Sequence, residues 1–87
     1  MLNGPIREAV EQAERGGLGG TEIARRLGWM GSMRSNGKRY GDITRLRRRL
    51  GQKQTHGRYV LTTQTIRIDI AVAIIRAIGR DPVELGL

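Results

Sequence analysis

The chain has 87 residues, no cysteine, one histidine and a net charge of +8, which bounds it to a single small domain spanning 1–87, with no disulfide framework, no thiolate metal site and little room for a deep substrate cavity. Its longest apolar run, Ile70 to Ile75, is far too short for a bilayer, and no basic region followed by an apolar signal segment opens the chain, so a cytoplasmic protein with no membrane association is expected. Residues 25–58 hold eleven Lys or Arg against Asp42 alone, a net +10, whereas 1–24 carry −2 and 59–87 balance; a field so concentrated is the footprint of a polyanion binder.

Pro5 to Arg15 has Pro5 in its first turn and Ile6, Ala9, Val10 and Ala13 at i, i+3, i+4, i+7, which predicts a first helix with one packing face. Glu8, Glu11 and Glu14 fall on its other side and are expected to be a solvated face and not an acid/base site. Gly16, Gly17, Gly19 and Gly20 surround Leu18 and end this helix; without a Gly-Lys-Ser/Thr or a preceding strand they form a turn, and Leu18 is expected to tuck into the core. Thr21 to Leu27, TEIARRL, predicts a second short helix with Thr21 as N-cap, Ile23, Ala24 and Leu27 inward, and Gly28 as its stop.

Trp29 to Gly41, WMGSMRSNGKRYG, is too polar and glycine-rich to be helical throughout. Trp29 is expected to plug the core more readily than to stack on bases, because it adjoins the second helix. Arg34, Lys38, Arg39 and Tyr40 are candidates for phosphate contacts from a flexible basic loop. Asp42 to Leu50, DITRLRRRL, then predicts a third helix capped by Asp42 and stopped by Gly51, with Ile43, Leu46 and Leu50 on one stripe and Thr44, Arg45, Arg48 and Arg49 opposite. Fourteen of the sixteen cations are arginine, whose planar fork grips phosphate or the guanine edge with two parallel hydrogen bonds.

Gln52 to Ile68 is rich in Thr, Val, Ile and Tyr, and His56-Gly57 signals a turn, so a small β-hairpin is expected, either as a wing whose Lys53, His56 and Arg58 lie near DNA or as a connector packed on the helices. Asp69 to Ile78, DIAVAIIRAI, predicts a nearly all-round apolar helix with Asp69 as N-cap and Gly79 beyond its end; it is either the central core helix or also a homodimer contact. Asp81 and Pro82 start a last helical turn.

TEIARRLG resembles the first helix of a helix-turn-helix of the lambda repressor and Cro type. In that family a small residue, matched here by Ala24, is followed four positions later by a glycine, matched by Gly28, because the two helices cross closely. DIAVAIIRAIGRDPVELGL is similar to the closing helices of small helix-turn-helix proteins common in actinobacteria and their phages. The resemblance departs at Trp29 to Gly41, where family members have a shorter connection; either the turn is expanded and 42–50 remains the recognition helix, or part of the loop is helical.

The resulting expectation is a mainly α fold, a small helix-turn-helix bundle of four to five short helices with an expanded turn and a β-hairpin before the last helices. The resemblance implies sequence-specific binding of double-stranded DNA by a repressor- or Cro-like regulator, its recognition helix 42–50 in the major groove. Thr44, Arg45, Arg48 and Arg49 are then the base-reading candidates. Arg25, Arg26, Arg34, Lys38, Arg39, Tyr40, Arg47, Lys53 and Arg58 are the candidates for DNA backbone contacts, Arg25 and Arg26 because the first helix of such a motif crosses the backbone. The alternatives are a small interaction protein, an antitoxin or phage factor docking an acidic partner, and an excision-type architectural DNA-binding factor. Few aromatic residues argue against a single-strand RNA platform. The lone histidine and the lack of carboxylate or phosphate motifs argue against an enzyme, and no cofactor, metal or small-molecule ligand is expected.

Overall fold

The periodic apolar residues assemble one core from all four helices. A computed structural model describes residues 1–87, with the side chain of Gln54 excepted. In chain order it has α1 (Gly4–Arg15), α2 (Gly20–Arg26), α3 (Ile43–Arg49), strands β1 (Gln52–Thr55) and β2 (Arg58–Leu61), α4 (Ile68–Ala77) and a 3-10 turn (Pro82–Leu85). The architecture is mainly α with one two-stranded antiparallel sheet, and no helix is long and apolar enough to cross a membrane.

Ile6, Ala9 and Val10 of α1 are buried with Ile23 of α2, Leu46 and Leu50 of α3, Ile66, and Ala71, Ile74 and Ile75 of α4. Leu18, Leu27 and Trp29 close over this cluster as half-buried neighbours. The core-helix expectation for α4 holds: Ala71, Ile74 and Ile75 are inside, and Ala73 and Arg76 face outward. Its start differs from the sequence expectation. Arg67 is the N-cap residue, and Asp69 lies in the first turn, where its carboxylate takes two hydrogen bonds from Arg67 at 3.1 Å. An acid there still favours the positive end of the helix dipole without capping it.

Thr21 is likewise not the cap of α2. The helix begins one residue earlier, with Gly19 as N-cap and no capping side chain. Gly20 starts the helix against Ile43, whose Cδ1 would lie 2.8 Å from a Cβ at position 20. This contact brings the beginning of α2 against the beginning of α3, so packing overrides the capping preference of threonine.

The first residues of the chain are tied to its middle. Ile66 N donates to Met1 O at 2.8 Å, and Asn3 N donates to Gln64 O at 3.0 Å. Asn3 is fully buried, yet its amide is satisfied: Nδ2 donates to Thr62 O at 3.0 Å and Oδ1 accepts from Gln64 N at 3.3 Å. Arg7 reaches the same junction and donates to Leu50 O at 3.1 Å. A cation on a terminal carbonyl of α3 also complements that helix's dipole.

The hairpin follows the expected turn. Lys53 pairs with Val60 and Thr55 with Arg58, and His56 (φ 50°) and Gly57 (φ 77°) both adopt the left-handed conformation. Two such residues make the tight turn whose twist matches that of antiparallel strands, with glycine in the second position. All four residues of β2 are exposed, while Gln52 at the start of β1 is half-buried and hydrogen-bonded to Arg47 and Glu11, so the hairpin is rooted on α1 and α3 and its turn end projects.

Residues 30–41 form a second projection. It contains no helix, so the alternative of a partly helical loop is set aside. Asp42 N donates to Trp29 O at 2.8 Å, Gly31 N to Tyr40 O at 2.8 Å and Arg34 N to Lys38 O at 2.8 Å. The excursion is therefore pinched at its base and runs out and back as a narrow arm with its tip at Ser35 to Gly37. Trp29 N also donates to Ala24 O at 2.9 Å. Leu27 to Trp29 and Asp42 thus form the physical connection between α2 and α3.

The glycine that permits close approach is not the one the family pattern points to. A Cβ at Gly28 would meet nothing within 4 Å, and this residue is glycine because its φ is +77°. A Cβ at Gly41, by contrast, would collide with the carbonyl oxygen of Thr21 and lie 2.8 Å from Arg25 N. The arm's base passes so close to the backbone of α2 that only glycine fits.

Candidate nucleic-acid interface

The site is built on α3. Asp42 Oδ1 accepts from Arg45 N at 3.1 Å and so caps the helix as expected, while Gly51, with φ +75°, follows its end. Leu46 and Leu50 are fully buried and anchor one face; burying two such side chains is worth about 3–6 kcal/mol. Thr44, Arg45, Arg48 and Arg49 are exposed on the other. Among the described residues, the guanidinium groups of Arg45, Arg48 and Arg49 donate no hydrogen bond and enter no salt bridge. Three fixed positive charges thus stand on a rigid helix with their donors free.

Arg45 is nonetheless not loose. Its guanidinium carbon lies 4.6 Å from the centroid of the Trp29 indole, and Trp29 is half-buried with its remaining surface against the core. The expectation of Trp29 as a core plug is met in part, and the aromatic face left over carries an arginine.

Arg47 departs from its expected role. Only 18 % of its side chain is exposed, and it pairs bidentately with Glu14 of α1 at 2.6 and 2.8 Å. It also donates to Gln52 Oε1 at 3.1 Å, and the carboxylate raises its pKa above the ordinary arginine value. This residue joins α1, α3 and β1 and is not free for a phosphate. The signal was present in the sequence. At 100° per residue, position 47 lies only about 40° from Ile43 and about 60° from Leu50, at the border of the apolar stripe. Glu14 correspondingly is not a merely solvated carboxylate.

Arg25 and Arg26, the expected backbone contacts of α2, are exposed but engaged. Arg25 donates to Glu22 at 2.7 and 2.5 Å; Arg26 donates to Glu22 at 3.3 Å and to Ala77 O at 2.9 Å. The Arg25 hydrogen bonds, foremost among the causes, hold the Glu22 carboxyl down at about 2. Glu22 therefore cancels part of the positive field of α2 throughout the physiological range.

Two basic projections flank the exposed face of α3. On one side is the arm, where Arg34, Lys38, Arg39 and Tyr40 are all exposed. Arg34 lies over the Tyr40 ring at 5.4 Å, and Arg39 Nε donates to Gly31 O at 2.9 Å. On the other side is the hairpin with Lys53 and Arg58, both exposed. Between α3 and the hairpin runs an open groove of about 440 Å³ lined by Ile43, Thr44, Arg47, Arg48, Lys53 and Tyr59 among others. A second groove, between α3 and the arm, is lined by Met33, Arg34, Tyr40 and Thr44. Thr44 borders both.

No known protein family, curated protein or solved structure matches this chain.

The geometry therefore carries the functional argument alone. Among the described residues no group of three His, Cys, Asp or Glu side chains is placed to hold a metal ion. The arrangement offers fixed cations, planar hydrogen-bond donors and two protrusions, which is chemistry for gripping a long polyanion. Sequence reasoning brought together Thr44, Arg45, Arg48 and Arg49 correctly on one face. It missed the stacking of Arg45 on Trp29, which joins residues sixteen apart and leaves no periodic signature.

Proposed function

We propose that this protein binds double-stranded DNA in a sequence-dependent manner as a phage-type transcriptional regulator, with α2 and α3 acting as a helix-turn-helix whose turn has been expanded into the arm. In this reading α3 lies in the major groove. Thr44, Arg45, Arg48 and Arg49 face base edges, and the arm and hairpin reach the phosphates on either side. The protein acts by occupying its site and performs no reaction.

The observation that carries the reading is the exposed face of α3: three guanidinium groups without internal acceptors among the described residues, on a helix pinned from behind by Leu46 and Leu50. A plain solvated helix, which is anchored in the same way, needs no basic projection on each flank. An α-helix is one of the two elements that the major groove admits, a two-stranded ribbon being the other. Arg34, Lys38, Arg39, Lys53 and Arg58 supply five flanking cations free of acidic partners among the described residues. If each neutralises one phosphate, the logarithm of affinity falls with the logarithm of salt with a slope of about −4.5.

The test is selection of bound sequences from a random duplex library, followed by fluorescence anisotropy on the enriched duplex at several salt concentrations. An enriched motif, a steep salt dependence and loss of discrimination in Arg48→Ala support the reading. Failure to enrich any motif, or equal weakening of Arg48→Ala on enriched and random duplexes, refutes base reading by α3.

A further inference from the structure

We infer that Trp29 is a positioning residue for Arg45: its indole face holds the guanidinium so that the arginine's donor edge is presented to a guanine in the DNA. The inference rests on the DNA-binding reading and deepens it, assigning one residue outside α3 a part in specificity.

Four observations converge. First, the guanidinium of Arg45 lies 4.6 Å from the indole centroid, well within the range in which a ring's negative face attracts a cation. Secondly, among the described residues the N–H groups of this guanidinium have no hydrogen-bond acceptor. The edge that pairs with guanine O6 and N7 is therefore still free.

Thirdly, the platform is itself fixed. Trp29 N donates to Ala24 O in α2 at 2.9 Å, and Trp29 O accepts from Asp42 N at 2.8 Å. The indole is thus referenced to the end of one helix and to the capping residue of the next. Fourthly, among the described residues no aromatic ring lies beneath Arg48 or Arg49, which share the exposed face. Arg45 is singled out, and a long side chain that is already immobilised loses less freedom when it binds.

A merely structural role for Trp29 would lower stability and weaken all DNA binding alike. Positioning predicts something narrower. The test combines a double-mutant cycle on the enriched duplex with nuclear magnetic resonance of the free protein. Trp29→Leu, which keeps an apolar side chain on the core, is expected to weaken binding to the enriched duplex by about 2- to 30-fold, the range of such a contact. Random duplex binding should stay within about twofold, and the preference lost should be at the same base pair that Arg45→Ala relaxes. In an Arg45→Ala background the Trp29→Leu change should have no further effect on the enriched duplex.

Trp29→Phe, which retains an aromatic face, should restore most of the preference. In the free wild-type protein, the side-chain protons of Arg45 should be shifted upfield by the indole ring current. That measurement needs no variant and no DNA, so it remains decisive if Trp29→Leu does not fold. Unshifted Arg45 protons overturn the inference while leaving the DNA reading intact, as do additive effects of the two substitutions. A wild-type protein that binds no duplex overturns both.

Discussion

Exchange of Gly41 for alanine, set beside the same exchange at Gly28, tests how α2 and α3 are joined. At Gly28 the new Cβ enters open space and the cost is only the left-handed conformation, φ +77°, about 1–2 kcal/mol. At Gly41 it collides with the Thr21 carbonyl and sits 2.8 Å from Arg25 N, where ordinary contacts between heavy atoms are about 3.5–4.0 Å. Both neighbours are backbone, so no rotamer change relieves the overlap. The base of the arm must move away from α2, straining the Asp42 N to Trp29 O bond beside it. Overpacking of about 1–3 kcal/mol and one or two weakened hydrogen bonds of about 1 kcal/mol each give a total of about 2–5 kcal/mol. For a domain of this size that corresponds to a fall in Tm of at least about 8 °C. Urea denaturation and thermal unfolding followed by circular dichroism measure both variants. Equal, small losses in the two, or a larger loss in Gly28→Ala, would refute the argument that the close approach is at Gly41.

Glu14→Gln should destabilise by about 1–3 kcal/mol in urea titrations, because it leaves the half-buried Arg47 guanidinium without its carboxylate; an unchanged midpoint would show the pair to be dispensable. Asn3→Ala removes an amide that joins the start of the chain to Thr62 and Gln64 and should cost a similar amount, with hydrogen exchange fastest at residues 62–66. Glu22→Gln should raise DNA affinity and steepen its salt dependence, since it releases Arg25 and lifts the net charge by one; a weaker complex in anisotropy would contradict the neutralising role. As for pH, a carboxyl held down at about 2 contributes its ion pairs fully above the ordinary carboxylate range and loses them only as pH falls through about 2. DNA affinity should therefore rise on Glu22→Gln by the same factor at pH 5 and pH 8.

Much of this arrangement was legible because it is written in local rules. The stripe of α1, the caps of α3 at Asp42 and beyond Leu50, and the His56-Gly57 turn depend on residues within a few positions of each other. The errors arise where a distant contact outweighs a local preference. Thr21 is a good cap, but Gly20 is needed beneath Ile43 and the helix starts before it. Asp69 is a good cap as well, but α4 starts at Ile68 with Arg67 as its N-cap, a shift that no distant contact explains. Arg47 belongs by sequence to a cationic run, although its angular position places it beside the apolar stripe, where Glu14 of α1 meets it. That residues 30–41 are not helical was legible in their glycines and polarity, but their path was not, because backbone hydrogen bonds close the arm and its sequence has no period.

The hydrogen bonds that close the arm at Trp29 and Asp42 have a consequence for how such a protein can change over time. Because the chain leaves and re-enters at one point, the helices on either side do not feel how much polypeptide lies beyond it. Each doubling of a flexible loop's length costs only about 0.6 kcal/mol. In the proposed DNA complex, insertions and deletions near Ser35 to Gly37 would therefore alter how far along a duplex the protein reaches while leaving the register of α3 intact. Footprint and base preference would then be separately adjustable quantities, the first by length polymorphism in one projection and the second by substitution on one helical face.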